Sequence, residues 1–185
     1  EDGFVSNYFL EEVKPGDKLI SSGPSGHFHH NPIFHGDDLV FIAGGSGITP
    51  FMSMVQDIAD RGLTERRVHL IYGSKDASDI IFHERLQEIA DRHLNISYTP
   101  VISEPPVVYK GKKGFITAKL LQDLLGDLSP KTFYLCGPEA MYTFCLKELA
   151  SLGIQKRKIR IEVFGPPKEV ALQPGWPEEI LPEQR

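Results

Sequence analysis

The residues best suited to chemistry lie in two glycine-containing turns, "GGSGITP" at 44–50 and "CGPE" at 136–139. Each turn follows an apolar run and precedes a helical pattern. A turn that leads from a strand into a helix presents free backbone N–H groups and partial positive charge, which bind phosphate groups. The two turns together therefore indicate a site for a diphosphate.

The first turn departs from the common dinucleotide fingerprint. From Gly45 it reads G-x-G-x-x-P, so Pro50 occupies the place of the third glycine. Proline suits the first turn of a helix because no N–H is needed there, and Thr49 before it is predicted to be the N-cap. The turn thus predicts a phosphate site in which the ligand lies differently, with a purely structural turn as the alternative.

Nucleophilic catalysis is a second alternative, and the spacing disfavours it. A nucleophile elbow needs G-x-S-x-G, whereas Ile48 stands two places after Ser46. Cys136 is either a small core residue or a thiol at the reacting end of a bound ligand; no histidine is near it in sequence to activate it as a nucleophile. Cys145 is interpreted as a packing residue.

Metal centres receive little support. The chain has only two cysteines, which excludes a four-cysteine iron–sulfur cluster and a disulfide framework. Four histidines cluster at 27, 29, 30 and 35, but no Asp or Cys ligand set accompanies them. The segment is interpreted as a solvated loop, and no metal site is predicted.

Composition narrows the class of protein. The 185 residues are 41% hydrophobic and carry a net charge of −5, which argues against nucleic acid as a partner. No apolar run approaches the roughly 20 residues needed to span a bilayer. The composition predicts a cytoplasmic protein with neither nucleic acid nor membrane as a partner.

Strand and helix patterns alternate after residue 38. Strands are predicted at 39–43, 68–72, 96–102, 132–136 and 159–164. Helices are predicted at 50–61, 79–93, 117–125 and 138–152. The alternation predicts an α/β fold, a doubly wound five-stranded parallel sheet of order 3-2-1-4-5. Its topological switch point lies between the first and fourth strands, where both glycine-containing turns would face one crevice.

The two flanks differ from this central part at 37–165. Residues 1–36 contain a helical pattern at 6–13, a "KPGD" turn and a strand-like "KLISSG", as at the end of a separate β-rich domain. Residues 166–185 are rich in proline and acid, which favours a linker or docking tail.

Six segments in this order resemble the ferredoxin–NADP⁺ reductase superfamily. They are "FVSNYF", "KPGDKLISSGPSGHF", "IAGGSGITPF", "YGSKDASDIIFHERL", "YLCGPEAM" and "IEVFG". The resemblance implies that 1–36 is the C-terminal remnant of an FAD-binding barrel and that 37–165 is an NAD(P)-binding domain. It also implies hydride transfer from NAD(P)H to FAD and passage of electrons to an iron–sulfur or other protein acceptor.

The resemblance assigns site residues position by position. Those implied to bind cofactor are Ser6, Gly44, Gly45, Ser46, Gly47, Thr49, Pro50, Gly73, Ser74, Lys75, Gly137, Pro138 and Met141. Ser6 would hold the FAD pyrophosphate, and Ser74 and Lys75 would face the adenosine ribose. Cys136 would lie near the nicotinamide C4, and Phe164, with Glu162 beside it, would cover the flavin ring.

One departure from the family concerns the flavin. The R-x-Y-S/T motif that binds flavin is absent from this sequence. The sequence therefore predicts that the chain as given binds nicotinamide nucleotide, holds flavin weakly or not at all, and is inactive alone. The alternative function is a non-catalytic nucleotide-binding or electron-transfer module without its own flavin.

Two further points stay open at the level of sequence. Lys75 and Arg85 stand near Asp76 and Asp79, so NADH is slightly favoured and NADPH is not excluded. The electron acceptor is a separate redox protein or a fused iron–sulfur domain of the plant ferredoxin type, to which the tail would lead.

Overall fold

The computed structural model describes residues 4–21, 23 and 25–163. Its centre is a six-stranded parallel sheet of order β4-β3-β2-β1-β5-β6. The strands are β1 Asp38–Gly44, β2 Arg67–Ser74, β3 Ile96–Ile102, β4 Lys112–Lys113, β5 Thr132–Gly137 and β6 Ile159–Val163.

The predicted sheet is confirmed, with one addition. The five predicted strands appear in the predicted order, and every residue of β1 and β5 is buried, as their continuous apolar runs indicate. The sixth strand, β4, has only two residues and pairs with Val101 and Ile102 at the edge of β3. A strand this short shows no periodicity in the sequence and was not predicted. The predicted number of five strands was therefore too low by one.

Six α-helices accompany the sheet in the described residues. They are α1 Phe4–Glu11, α2 Pro32–His35, α3 Thr49–Asp60, α4 His83–Arg92, α5 Ala118–Leu125 and α6 Glu139–Ser151. Alternate residues of a strand face opposite sides of a sheet. Phe41 accordingly packs with α3 and α4, and Ile42 packs with α5 and α6. This gives the two helical layers of a doubly wound fold.

The segment before α4 differs from its prediction. A helix was expected from residue 79, but a separate 3₁₀ turn, Ala77–Asp79, precedes α4. The Asp76 carboxylate accepts a hydrogen bond from the Ser78 amide at 2.8 Å and caps that turn. Phe82 then adopts a left-handed conformation with φ of 60°, which interrupts the helical path. The helix therefore begins at His83.

The strand expected in "KLISSG" is not formed at residues 18–21. Leu19 is half-exposed, Ile20 is fully exposed, and neither belongs to a strand. A strand needs a neighbour to pair its backbone groups, and none of the described residues provides one here. Phe164 and the predicted tail at 166–185 lie outside the described residues.

His35 was assigned to a solvated loop, and this was wrong. The Asn31 side chain caps α2, whose last residue is His35, and this places the ring against Tyr134 in the core. His35 is buried, and its Nε2 accepts a hydrogen bond from Arg160 Nε at 3.0 Å. The imidazole is a buried acceptor that joins α2 to β5 and β6.

Within the described ranges, no helix combines the length and apolar character needed to cross a bilayer.

Candidate functional site

The two glycine-containing turns are in direct contact. A Cβ atom built on Gly47 would lie 2.2 Å from the Cys136 carbonyl oxygen and 2.6 Å from the Gly137 amide nitrogen. Both of these atoms belong to backbone, so no side-chain movement could make room, and only glycine fits. The pairing of Ala43 with Cys136 brings the ends of β1 and β5 to the same height. The sequence therefore brings both turns to one edge of the sheet, as predicted.

The first turn is a 3₁₀ turn, Gly45–Ile48, that runs without a break into α3. Thr49 is helical, and its hydroxyl donates to the Ser46 carbonyl at 3.1 Å. The predicted N-cap role of Thr49 was therefore wrong, because Thr49 is already helical and Ile48 is at the N-cap position of α3. Pro50 lies in the first turn of α3, where its missing N–H leaves no acceptor unpaired.

A cleft of about 590 Å³, here the glycine cleft, opens at the carboxyl ends of the strands. It lies at the predicted switch point, between the turn after β1 and the start of α6. Seven of the predicted residues line it, namely Gly44, Gly45, Gly73, Ser74, Lys75, Pro138 and Met141. The structure thus gathers residues at or just after the carboxyl ends of β1, β2 and β5 around one cavity.

A second cleft of about 670 Å³, here the histidine cleft, shares no lining residue with the first: Gly45, at the start of the turn, lines the glycine cleft, and Thr49, just after the turn, lines the histidine cleft. Its walls are residues 25–29 together with Thr49, Pro50 and Glu162. His27 and His29 therefore face the same cavity as the predicted residue Glu162. Among the described residues, no three His, Cys, Asp or Glu side chains are grouped to hold a metal ion.

Five predicted residues line neither cleft. Gly47 and Gly137 form the contact between the turns, and Ser46 is exposed on the first turn. Ser6 is exposed on α1, and Cys136 is fully buried in β5. Phe164, assigned to the flavin face, is outside the described residues.

Cys136 is held as a neutral thiol. Burial raises its pKa to about 11, and the negative charge of Glu162 adds to the effect. Cys136 and Glu162 are paired across β5 and β6, so both side chains face the same side of the sheet. A thiol that stays protonated is a poor nucleophile, which agrees with the interpretation of Cys136 as a packing or positioning group.

The glycine cleft has little free positive charge. Lys75 is the only lysine or arginine among its lining residues in the described structure, and its Nζ lies 3.5 Å from a Glu104 carboxylate oxygen. Asp79 lines the same wall. An anionic ligand would therefore be held mainly by backbone N–H groups, in the Gly45–Ile48 turn that leads into α3 and at the start of α6.

Sequence reasoning missed part of the cleft wall. Ser103 and Phe115, from the connection after β3, line the glycine cleft with Phe144 of α6. The rings of Phe115 and Phe144 lie 5.9 Å apart and are tilted. The sequence could have indicated this part of the wall. The connection that follows β3 begins at the same edge of the sheet as the glycine-containing turns, so its residues are expected to line the same cleft.

The two clefts together suit an elongated ligand. The glycine cleft offers two aromatic rings, the turn between the clefts offers backbone donors, and the histidine cleft offers Thr49 and Glu162. An extended molecule with rings at both ends and anionic groups in the middle matches this order. Gly45 has open space beside it, so a ligand can approach the backbone of the turn closely.

Comparison with known proteins identifies the domain. The family model "Oxidoreductase NAD-binding domain" matches residues 41–147, more than half of the chain. The anthranilate 1,2-dioxygenase electron transfer component of Acinetobacter baylyi is 38% identical over 140 residues, covering 76% of this chain and 40% of the relative. The phenol 2-monooxygenase reductase component of a Pseudomonas species is 33% identical over 166 residues, covering 89% of this chain and 46% of the relative.

A solved structure gives the same answer for the fold. The cytochrome b5 reductase domain of Ulva prolifera nitrate reductase superposes with a TM-score of 0.74 at 25% identity, covering 86% of this chain and 65% of that chain. The chain spans less than half the length of the two curated relatives. It belongs to the oxidoreductase NAD-binding domain family, the nucleotide-binding part of the ferredoxin–NADP⁺ reductase superfamily.

Proposed function

We propose that this chain is the nucleotide-binding part of a flavin-dependent oxidoreductase, which passes a hydride from NAD(P)H to FAD and electrons on to a protein acceptor. The observation that carries the proposal is the contact of Gly47 with the Cys136–Gly137 peptide. That contact sets two helix starts side by side between the two clefts, an arrangement suited to the diphosphate of a dinucleotide.

The proposed orientation of the nucleotide follows from the walls of the clefts. The adenosine half lies in the glycine cleft, with Phe115 and Phe144 beside the base and Ser74 and Lys75 near the ribose. The diphosphate lies across the turn between the clefts. The nicotinamide reaches the end of β5 and β6, where Cys136 and Glu162 face the same side of the sheet.

Hydride transfer needs positioning more than acid–base chemistry. A bound nicotinamide would supply the hydride, and a flavin held beside it would accept that hydride. The protein's part is to hold the two reacting rings in contact and to exclude water. Cys136 suits this task because its buried thiol stays neutral and adds no charge beside the ring. Glu162 and Phe164 are proposed to border the flavin side of the same contact.

We propose NADH as the preferred donor. A 2′-phosphate is usually bound by free arginine or lysine side chains, whereas an unmodified ribose suits an acidic residue. Lys75 is already paired with Glu104, and Asp79 lines the cleft beside it. The charges on this wall therefore favour a ribose hydroxyl over a phosphate.

The rest of the assignment depends on the longer relatives. The two curated relatives are an electron transfer component and a reductase component of oxygenases. By analogy, the partner is a redox protein or a fused iron–sulfur domain, which residues 166–185 would link or dock. Residues 1–36 are proposed as the end of an FAD-binding barrel, and a cytoplasmic location stays a prediction.

Calorimetry with NADH, NADPH and ATP on this chain tests the nucleotide site. We expect saturable one-to-one binding of NADH, weaker binding of NADPH and the weakest binding of ATP. Amide chemical-shift changes should appear on both sides of the turn, at Gly45 and Ser74 and at Thr49. Absence of binding by all three nucleotides, or shift changes confined to the opposite edge of the sheet, would contradict the proposal.

The oxidoreductase part of the proposal needs the flavin-containing full-length protein. Addition of NADH under anaerobic conditions should bleach the flavin absorbance, because the hydride reduces the flavin. A protein that binds NADH and leaves its flavin oxidised would instead be a non-catalytic nucleotide-binding module.

A further inference from the structure

The phenol of Tyr72 connects separate walls of the glycine cleft. Its ring is completely buried at the end of β2. The hydroxyl donates a hydrogen bond to the Gly45 carbonyl oxygen at 2.8 Å and accepts one from the Ile81 amide at 3.4 Å. One side chain therefore joins the turn after β1 to the segment before α4.

Both partners of this hydroxyl are next to residues that line the glycine cleft. Gly45 lines the cleft itself, and Ile81 stands two residues after Asp79, which also lines it. Tyr72 also precedes Gly73, where the third wall begins. The phenol is thus the point at which three cleft-lining segments meet inside the core.

Gly45 needs such a restraint. Its φ is +52°, and a Cβ built on it would have no neighbour within 4 Å. A glycine in open space has access to several backbone conformations, and fixing one of them has an entropic cost. A hydrogen bond to its carbonyl oxygen selects one orientation of the peptide plane between Gly45 and Ser46.

The orientation of that plane decides where a backbone donor points. In a planar trans peptide the C=O and the following N–H point in opposite directions. Because Tyr72 holds the Gly45 carbonyl toward the core, the Ser46 N–H is directed away from it, and Ser46 is exposed. Burial raises the pKa of Tyr72, so the phenol stays protonated and keeps its role as donor at neutral pH.

We infer that Tyr72 is a positioning residue for the diphosphate of the dinucleotide, acting by fixing the direction of the N–H groups in the Gly45–Ile48 turn. This inference rests on the proposed nucleotide site. It assigns a binding function to a buried side chain that touches no ligand.

The test compares two tyrosine-to-phenylalanine variants. Tyr72 and Tyr134 are both completely buried in the same core cluster, so Y72F and Y134F each remove one buried hydroxyl. The Tyr134 hydroxyl bonds His35, which lies before β1 and lines neither cleft, and the ring that packs on Phe28 is kept in Y134F. Y134F is therefore a matched control for loss of stability without loss of the turn.

Binding of NADH and of ADP is measured for both variants and for the wild type. We expect Y72F to raise both dissociation constants by the same factor, because NADH and ADP share the diphosphate. The factor should be about five- to tenfold, which corresponds to the loss of one hydrogen bond. Y134F should leave both constants within about twofold of wild type, on the scale of one hydrogen bond. Equal losses in Y72F and Y134F, or wild-type binding by Y72F, would overturn the role of Tyr72.

Backbone ¹⁵N relaxation in the ligand-free proteins separates this role from the proposed function. Order parameters at Ser46 and Gly47 should fall in Y72F, because the peptide plane is no longer held, and stay unchanged in Y134F. If wild type binds neither NADH nor ADP, the proposed function fails whatever the order parameters show. If wild type binds both nucleotides and the order parameters at the turn are unchanged in Y72F, only the inference about Tyr72 fails.

Discussion

The two edges of the sheet bury different kinds of groups. At the amino ends of the strands, Lys131 Nζ lies 2.9 Å from the Asp38 carboxylate, and both side chains are less than 8% exposed. At the carboxyl ends, the turns after β1 and β5 meet through the bare backbone of Gly47. An ion pair between side chains stabilises the amino edge, whereas a contact between backbone segments forms the carboxyl edge.

The difference separates stability from binding. Charged side chains at the amino edge satisfy one another, since Asp38 also accepts a hydrogen bond from Arg67 at 2.8 Å. At the carboxyl edge, the glycine-containing turns lead into two helix starts, where backbone N–H groups can bind an anionic ligand. Substitutions at the amino edge should therefore change the free energy of unfolding, whereas substitutions at the carboxyl edge should change nucleotide affinity.

The largest loss of stability is expected from Asp38→Asn. This change leaves the Lys131 ammonium buried without a counter-ion, which should lower the free energy of unfolding by about 3–5 kcal/mol. The dissociation constant for NADH should stay within about twofold of wild type, because Asp38 is expected to make no contact with the nucleotide. Loss of one hydrogen bond to the ligand would raise the constant by more than this. Urea denaturation and calorimetry measure the two quantities.

A double variant provides the control for this charge. Asp38→Leu with Lys131→Met removes both ions, and apolar replacement of a buried pair is often neutral. It should recover most of the stability lost in Asp38→Asn. If Asp38→Asn weakened NADH binding as strongly as it weakened the fold, the separation of the two edges would be wrong.

Gly47→Ala is expected to affect both properties. Its Cβ would overlap backbone atoms of Cys136 and Gly137, and overpacking of this kind costs about 1–3 kcal/mol. Because relief of the clash must push the two turns apart, NADH affinity should fall by more than about tenfold, the loss of at least one good contact. Thermal unfolding and calorimetry test both effects.

Gly62→Ala is the matched control for Gly47→Ala. Gly62 follows α3, away from both clefts, and has a φ of +62° with open space beside it. An alanine there is strained by about 1–2 kcal/mol through its conformation alone. It should reduce stability to a similar degree and leave NADH affinity unchanged; a parallel loss of affinity would show that general destabilisation explains the Gly47 result.

The sequence predicted the carboxyl edge better than the amino edge. The glycine-containing turns are local signals, each contained in a few residues next to a strand. Asp38 and Lys131 are separated by 93 residues, and no local pattern indicates that they meet. The strand β4 and the left-handed Phe82 were missed for a related reason, since tertiary contacts and not periodicity determine them.

Acid sensitivity is expected to arise at the amino edge. Burial lowers the pKa of His35, and the charge of Arg160 adds to the effect; burial also lowers the pKa of His69. The unfolded chain therefore binds more protons than the folded chain near pH 6, so stability falls as the pH drops below about 6.5. Full stability is present above that value.

Melting temperatures between pH 7.5 and 5 test this expectation. His35→Gln should flatten the profile, because glutamine does not titrate. Asp76 and Asp127 have lowered pKa values, through hydrogen bonds from Ser78 and Ser129, and so contribute only at more acidic pH. A profile that is flat in the wild type, or unchanged in His35→Gln, would contradict a role for this buried imidazole.

The smallest effect on stability is expected at the rim of the glycine cleft. Lys75 and Glu104 are both largely exposed, and exposed ion pairs contribute about 0–1 kcal/mol. Glu104→Lys should therefore leave the melting temperature almost unchanged.

The same variant should change the choice of nucleotide. It frees Lys75 and adds a second cation, so NADPH affinity should rise by about tenfold, the effect of one charge-assisted contact, while NADH affinity changes little. Glu104→Gln, which only removes the carboxylate, should give a smaller gain for NADPH. If neither variant altered the ratio of the two affinities, the 2′ position of the ribose would lie elsewhere in the cleft. An exposed charge at the carboxyl edge is thus expected to change the preference for a nucleotide and leave stability unchanged. The buried charge of Asp38 is expected to have the opposite effect, changing stability and leaving the preference for a nucleotide unchanged.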